Sequence, residues 1–279
     1  MTPDGKPTPA LLTKAALESA SIPQVIINAG SKIPPKLPYF QTDITHGKNI
    51  AIEPGLEQSN VVHAIDYGRI LGRTLASCTD CLVIGESIPA GTTTALAVLK
   101  SLGIDAHVSS SMPKNPQSLK SGIVEKVLKR SDSKEVYDVM ANAGDPMIPF
   151  IAGMLSTASE ITNIILAGGT QMAAVLAIAK SMGYDESKVA LGTTSYIVND
   201  KTANLLDMVK SISDIPVLSI DPKLKDSKFD GLRAYSQGFV KEGVGAGGSM
   251  IASILKTGID SKKLLELIDK EYSRVTTSQ

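Results

Sequence analysis

"CLVIGESIPAGTTTALAVLKSLG", residues 81–103, decides the fold. A short apolar run from Cys81 to Ile84 enters a glycine-bearing turn. The chain then continues as "TTTALAVLKSLG", apolar at helical spacing until Gly103 stops it. A strand feeding a helix through glycines is half of a βαβ unit. The order recurs downstream, where "ITNIILAGG" runs into "TQMAAVLAIAKSMG", which stops at Gly183. "VALGTTSYIV" and "IPVLSI" read as further strands. Upstream, "PQVIIN" reads as a strand and "GLEQSNVVHAIDYGRILGRTLA" as a long amphipathic helix. Nearly continuous apolar strands separated by helices predict an α/β fold with a mostly parallel sheet, covered by helices on both faces. Such sheets bind ligands outside the carboxyl ends of their strands. Three glycine-bearing turns fall at that edge, Gly85 to Gly91, Gly168-Gly169, and Gly243 to Gly248.

Composition narrows the function. The 279 residues suffice for one large or two modest domains. The expected organisation is a single domain over residues 1–279, with residues 1–46 and about 114–140 contributing to a smaller lobe. Lys and Arg balance Asp and Glu at 28 each, so no global field steers the chain to nucleic acid or an anionic membrane. Tryptophan is absent and phenylalanine scarce, which leaves few platforms for stacking bases. The N-terminus lacks the basic and apolar regions of a signal peptide, and no apolar run is long enough to span a membrane. Asp4-Gly5 is a hairpin-turn dipeptide with only three residues before it, as a frayed leader or a lost preceding strand would leave it. Cys78 and Cys81 are expected to be buried structural thiols in a reducing compartment. "IPPKLPYF" and "KLKDSKFDGL" are expected to be surface loops.

"VKEGVGAGGSMIASIL", residues 240–255, contains the spacing Gly-x-Gly-x-x-Gly of a dinucleotide site. That reading fails on context. Lys241-Glu242 sits at the turn, and after it the chain offers only one more helix, with no second βα unit to hold an adenosine. What remains is Glu242 beside glycines that let a ligand approach the backbone. The same residues also read as a solvated loop glutamate with glycines that permit tight helix packing. In "GESIPAGTTTAL", Glu86 precedes a helix start bearing Thr92, Thr93 and Thr94. Free amides and the helix dipole make such a start an anion site. Plain N-capping needs one hydroxyl, and three beside two glycines favour a ligand.

Together these turns resemble nicotinate-nucleotide–dimethylbenzimidazole phosphoribosyltransferases, in a divergent archaeal-type branch. "GESIPAGTTTAL" is similar to that family's Gly-Glu-Met-Gly-Ile-Gly-Asn-Thr-Thr-Ala-Ala segment, and "KEGVGAGGSMIAS" to its Gly-Glu-Gly-Thr-Gly-Ala-Ala-Leu segment. "GKNIAIEPGLEQSNVVHAIDYG" and "GDPMIPFIAGMLSTASEITNIILAGGTQMAAVLA" resemble segments that accompany these in the family, so the likeness runs in order from about Gly47 to Ser253. The resemblance implies a Rossmann-like fold with a small helical lobe, and a cytoplasmic homodimer working without cofactor or metal. It implies transfer of the phosphoribosyl group of nicotinate mononucleotide to dimethylbenzimidazole or a related base, giving α-ribazole phosphate for the lower ligand of cobamides. Carried onto matching positions, the general base is Glu242 and the first-motif glutamate Glu86. The phosphate loop is Ala90, Gly91, Thr92, Thr93 and Thr94, the substrate lysine is Lys120, and Gly144-Asp145 and the glycines Gly243 and Gly245 complete the nucleotide site. The loop Ser87 to Gly91 is one residue longer than the bacterial form, "SSSMPKNP" replaces a Gly-x-Gly-x-Asp-Asp stretch, and the region before Gly47 does not match the usual base pocket. Adenine or another azole therefore remains open as acceptor. A non-catalytic nucleotide- or phosphate-binding protein that kept the fold is the alternative.

Other candidates carry less. His46 reads as a turn residue and His63 as a partly buried or interfacial helix residue. Three histidines without Glu-x-x-His spacing argue against a metal site. Asp43 and Asp66 are cleft carboxylates or solvated ones, and Ser195 lacks the context of a hydrolase nucleophile.

Overall fold

The computed structural model describes residues 6–277, so the Asp4-Gly5 turn lies outside the described residues. Along the chain run α1 (Ala10–Ser19), β1 (Ile27–Asn28), β2 (Phe40–Gln41), α2 (Gln58–Ala76), β3 (Cys81–Gly85), α3 (Gly91–Ser101), α4 (Gln117–Arg130), α5 (Val136–Ala143) and α6 (Met147–Ala158). There follow β4 (Asn163–Ala167), α7 (Thr170–Met182), β5 (Val189–Thr194), α8 (Ser195–Val198), α9 (Leu205–Ile212), β6 (Val217–Ile220), α10 (Asp230–Arg233), α11 (Ala246–Thr257) and α12 (Ser261–Thr277).

The central sheet holds β3, β4, β5 and β6, parallel throughout and in chain order. Right-handed crossovers between strands taken in succession carry every connecting helix to one face. That face is buried by α2, α3, α6, α7 and α9. The opposite face is covered by α11, on which α1 packs, with α12 packed in turn on α1. Strand alternation feeds both layers: Ile164 and Leu166 of β4 belong to the first core, and Ile165 between them belongs to the second. Each such side chain taken fully out of water contributes roughly 1.5–3 kcal/mol. Helices α4 and α5 pack on α3 as a smaller helical lobe. The Rossmann-like fold expected from the sequence is the one observed.

Helices α2 and α6 lie unusually close because glycines meet backbone. A Cβ on Gly68 would lie 2.1 Å from the Phe150 carbonyl oxygen, and one on Gly153 2.3 Å from that of Ile65.

Several expectations need correction. Cys78 and Cys81 are both exposed: one follows the last turn of α2 and the other opens edge strand β3 at the rim where it emerges. "PQVIIN" yields only a two-residue strand, paired with Phe40–Gln41 outside the main sheet. "VALGTTSYIV" stops being a strand at Thr194 and turns into the short helix α8, because Thr194 is occupied by the segment around Glu242. "KLKDSKFDGL" contains two short helical turns whose Leu224 and Leu232 are buried. His63 is exposed on α2. Asp43, which accepts from Tyr67 at 3.4 Å, and Asp66, paired with Arg69, are exposed, in keeping with the solvated one of their two readings. No helix among the described residues is long and apolar enough to cross a membrane.

Candidate active site

The carboxyl ends of β3, β4 and β5 meet one loop, residues 238–245, which leads into α11. Gly238, Val240, Lys241, Gly243, Val244 and Gly245 all have positive φ there. For a β-branched residue such as Val240 or Val244 this is a true outlier, and each such residue costs of order 1–3 kcal/mol and persists only where its surroundings hold it. Two consecutive γ-turns form, with the Lys241 amide donating to the Phe239 carbonyl at 2.7 Å and the Glu242 amide to the Val240 carbonyl at 2.8 Å. Packing from α1 supports the loop. Thr13 Oγ1 donates to the Val244 carbonyl at 2.8 Å, and Pro9 packs against Gly243.

Glu242 is partly buried at the centre of this loop, its carboxylate closing the N-terminus of α11. Oε1 accepts from the Gly243 amide at 3.0 Å and the Gly247 amide at 3.1 Å; Oε2 accepts from the Thr194 amide at 2.9 Å and from Thr193 Oγ1 at 3.3 Å. Burial pushes its carboxyl above the ordinary range, while those donors pull the other way. The longest contact is the hydroxyl, the one donor that can rotate and accept instead. Gly247 is glycine for want of space: a Cβ there would lie 2.3 Å from the Thr193 carbonyl carbon.

Glu86 follows β3 and is tied to the same loop, its carbonyl accepting from the Val244 amide at 2.9 Å. Its side chain is buried, with one donor, the Ile88 amide at 3.0 Å. Burial first, then the carboxylates of Asp145 and Glu242, push it up to about 8. At neutral pH it is therefore largely protonated.

Asp145 is buried at the start of α6. It accepts from the Met147 amide at 3.1 Å and from the Thr94 hydroxyl, and burial raises its carboxyl to about 6. Gly144 lets the chain pass Met140, whose carbonyl oxygen would lie 2.7 Å from a Cβ. Ala90 starts α3 in the left-handed conformation with no side-chain cap, and Thr92 and Thr93 are partly exposed beside it. Two helix starts, three carboxylates and the glycine loop thus share one edge of the sheet.

Lys120 stands apart from that cluster. Its buried ammonium donates to the Ser109 carbonyl at 2.6 Å and to Asn115 Oδ1 at 3.1 Å. Burial, then the neighbouring Lys241 ammonium, lower it to about 8 against the attraction of Asp200. The structure brings Lys120 together with Lys241 and Asp200, and no described hydrogen bond or ion pair joins it to residues 90–94. Beyond β5 and β6 a cavity of about 450 Å³ adjoins this second cluster, lined by Asn199, Asp200, Lys241, Ser195, Tyr196 and Tyr235. Sequence reasoning missed Thr193, Thr194 and Asp200; the only hint was a pair of threonines closing a strand. Among the described residues no group of three or more His, Cys, Asp or Glu side chains could hold a metal ion.

The profile of a family described as "Phosphoribosyltransferase" matches residues 15–193. A UPF0284 protein of Archaeoglobus fulgidus is 47% identical over 98% of this chain and 78% of its own length. One from Sulfurisphaera tokodaii is 41% identical over 100% of this chain and 80% of its own. The crystal structure of a nicotinate-nucleotide–dimethylbenzimidazole phosphoribosyltransferase from Thermus thermophilus superposes with a TM-score of 0.65 at 17% identity, covering 91% of this chain and 71% of that one. The structure of CobT from the same organism gives 0.63 at 17% identity, covering 94% and 78%. At that identity the likeness is one of fold. The chain belongs to the phosphoribosyltransferase family, in the branch of the archaeal UPF0284 proteins.

Proposed function

We propose that this family member acts as one α/β domain to move the phosphoribosyl group of nicotinate mononucleotide onto dimethylbenzimidazole or a related azole, forming an α-ribazole phosphate. The observation that carries the reading is the meeting of Glu86 and Glu242 beside the uncapped start of α3. The Thermus thermophilus protein of like fold is named for nicotinate nucleotide and dimethylbenzimidazole, which supports that choice of substrates.

The ring of nicotinate mononucleotide is a pyridinium, so its ribose C1′–N bond breaks with the pair of electrons leaving on a neutral pyridine nitrogen. One benzimidazole nitrogen attacks C1′ while the other loses its proton. The protein has to hold the phosphate, place the incoming nitrogen and favour positive charge on the sugar. Residues Ala90 to Thr94 present amides and the helix dipole to the phosphate. Glu242 takes the benzimidazole proton, and the Thr193 hydroxyl turns from donor to acceptor as it does so. Binding of the cationic ring lowers the Glu86 carboxyl, whose proton passes to solvent as the nucleotide enters, leaving a carboxylate opposite the positive charge that develops on the sugar. Gly144-Asp145 sets the wall of the nucleotide site through Thr94, while Lys120 stays with Ser109 and Asn115 beside the Lys241–Asp200 pair. On this reading the protein is a cytoplasmic homodimer.

Incubation with nicotinate mononucleotide and dimethylbenzimidazole is expected to release nicotinate and form α-ribazole phosphate, and Glu242→Gln to slow this by roughly 10²–10⁴. Unchanged turnover in that variant removes Glu242 as the base. One observation favours a second reading, a non-catalytic nucleotide binder: the four donors on Glu242 satisfy it as a brace for its own loop. Thermal stabilisation by the nucleotide, with no turnover across a panel of azoles, would select that reading.

A further inference from the structure

Asp200 lies just beyond α8, 41 positions from Lys241 in sequence, yet the two side chains form an ion pair at 2.7 Å, with 6% and 9% of their surface exposed. The same carboxylate accepts from Ser109 Oγ at 2.5 Å, from Thr202 Oγ1 at 2.7 Å and from the Thr202 amide at 2.9 Å. Burial alone would push Asp200 up; Lys241 and the Ser109 and Thr202 donors bring it down to about 2, so it is an anion throughout the working pH range. A buried pair of this kind returns little net stability, because desolvation offsets its attraction. Its distinctive consequence is geometric.

Lys241 has φ +60 and immediately precedes Glu242. An L-residue leaves the left-handed region unless something outside its own backbone retains it. Lys241 is retained at two points, its ammonium by Asp200 and its carbonyl by the Thr194 hydroxyl at 2.8 Å. Thr194 also donates its amide to Glu242. Releasing the ammonium leaves the γ-turn free to relax, and Glu242 moves with it.

We infer that Asp200 is a positioning residue for phosphoribosyl transfer: its ion pair with Lys241 holds the left-handed turn that aims the Glu242 carboxylate. The inference rests on the reading of Glu242 as base.

The test uses the full chain with Asp200→Asn, Lys241→Gln and the double variant. Each is assayed with nicotinate mononucleotide and dimethylbenzimidazole, and amide hydrogen exchange is followed at Gly243 and Gly247, the two loop donors to Glu242. Either single variant is expected to lower kcat by about 10- to 100-fold, the cost of misplacing a reacting group by roughly an ångström, with KM for the nucleotide nearly unchanged. The double variant is expected to be no worse than the poorer single one, because both break one link. Exchange at Gly243 and Gly247 is expected to rise about tenfold or more while amides of α2 and α6 keep their protection. Intact kcat in folded variants, additive losses, or exchange rising equally throughout would overturn the inference. If Asp200→Asn fails to fold, Lys241→Gln carries both readouts. If the wild-type protein transfers no phosphoribosyl group to any azole, the proposed function fails, while the exchange comparison still decides whether Asp200 holds the Glu242 loop.

Discussion

The two glutamate-bearing turns solve opposite problems. The Glu86 turn spends little on its backbone, with only Ala90 in the left-handed region, and leaves its carboxyl with one donor among two other acids. A charge there would be uncompensated, so the group keeps its proton up to about 8. The Glu242 turn forces valines and a lysine to positive φ and surrounds its carboxylate with four donors. One site stores a proton by withholding partners. The other stores conformational strain in order to supply them. The two carboxyl groups thus differ in what is fixed: the proton at Glu86 and the position at Glu242.

The strongest way to break this contrast is Gly247→Ala. The new methyl would sit 2.6 Å from Glu242 Oε2 and closer still to Thr193, so it displaces the very carboxylate the loop is built around. Overpacking there is expected to cost about 1–3 kcal/mol, read by chemical denaturation, together with a rate loss approaching that of Glu242→Gln. Full stability and activity in that variant would mean the loop is not rigid.

A smaller effect sharpens the Glu86 side. Its carboxyl titrates near 4.5 when unfolded and near 8 when folded, so between those values the folded state holds the extra proton. Stability from this group is present below the unfolded value and is lost as pH rises through the folded one, by about 1.4 kcal/mol per pH unit. Asp145, raised to about 6, adds to the slope only in the acidic part of that window. Denaturation measured at pH 6 and at pH 8 should show the wild-type protein weakening toward alkali and Glu86→Gln weakening much less. Parallel behaviour of the two proteins would contradict the buried-acid assignment.

The mildest change is Val244→Gly. Val244 sits at φ +52, where glycine is at ease and valine is not. The substitution is expected to raise stability by up to about 1 kcal/mol, seen as a thermal midpoint a few degrees higher or less. A loss would show that the Val244 side chain contributes more by packing than its backbone costs.

The parts legible in the sequence are those governed by local rules. The apolar runs of β3 and β4 and the glycine stops at Gly103 and Gly183, both at φ +80, are readable because each is fixed within a few residues. The pairing of the Glu86 and Glu242 turns was reachable only by comparing distant motifs, since the bond from the Val244 amide to the Glu86 carbonyl spans most of the chain. What stayed hidden was decided by distant partners. Thr194 ends β5 early because Glu242 and Lys241 claim its amide and hydroxyl, and no β-propensity reports that. Lys120 meets Lys241 and Asp200 through a fold-level encounter that its own helix pattern does not encode. Cys81 looked like the buried head of a strand, but strand order puts it on an outer edge.

The chain-order sheet also sets a schedule for synthesis. All four strands and the helices of the first face leave the ribosome before α11 does. Ile165 and Ile220 pack in one cluster with Met250 and Ile251 of α11, so a chain that has not yet made α11 lacks the main cover for that side of the sheet. The rim that carries both glutamates therefore takes shape late in the chain, once residues 238–245 and α11 have been made.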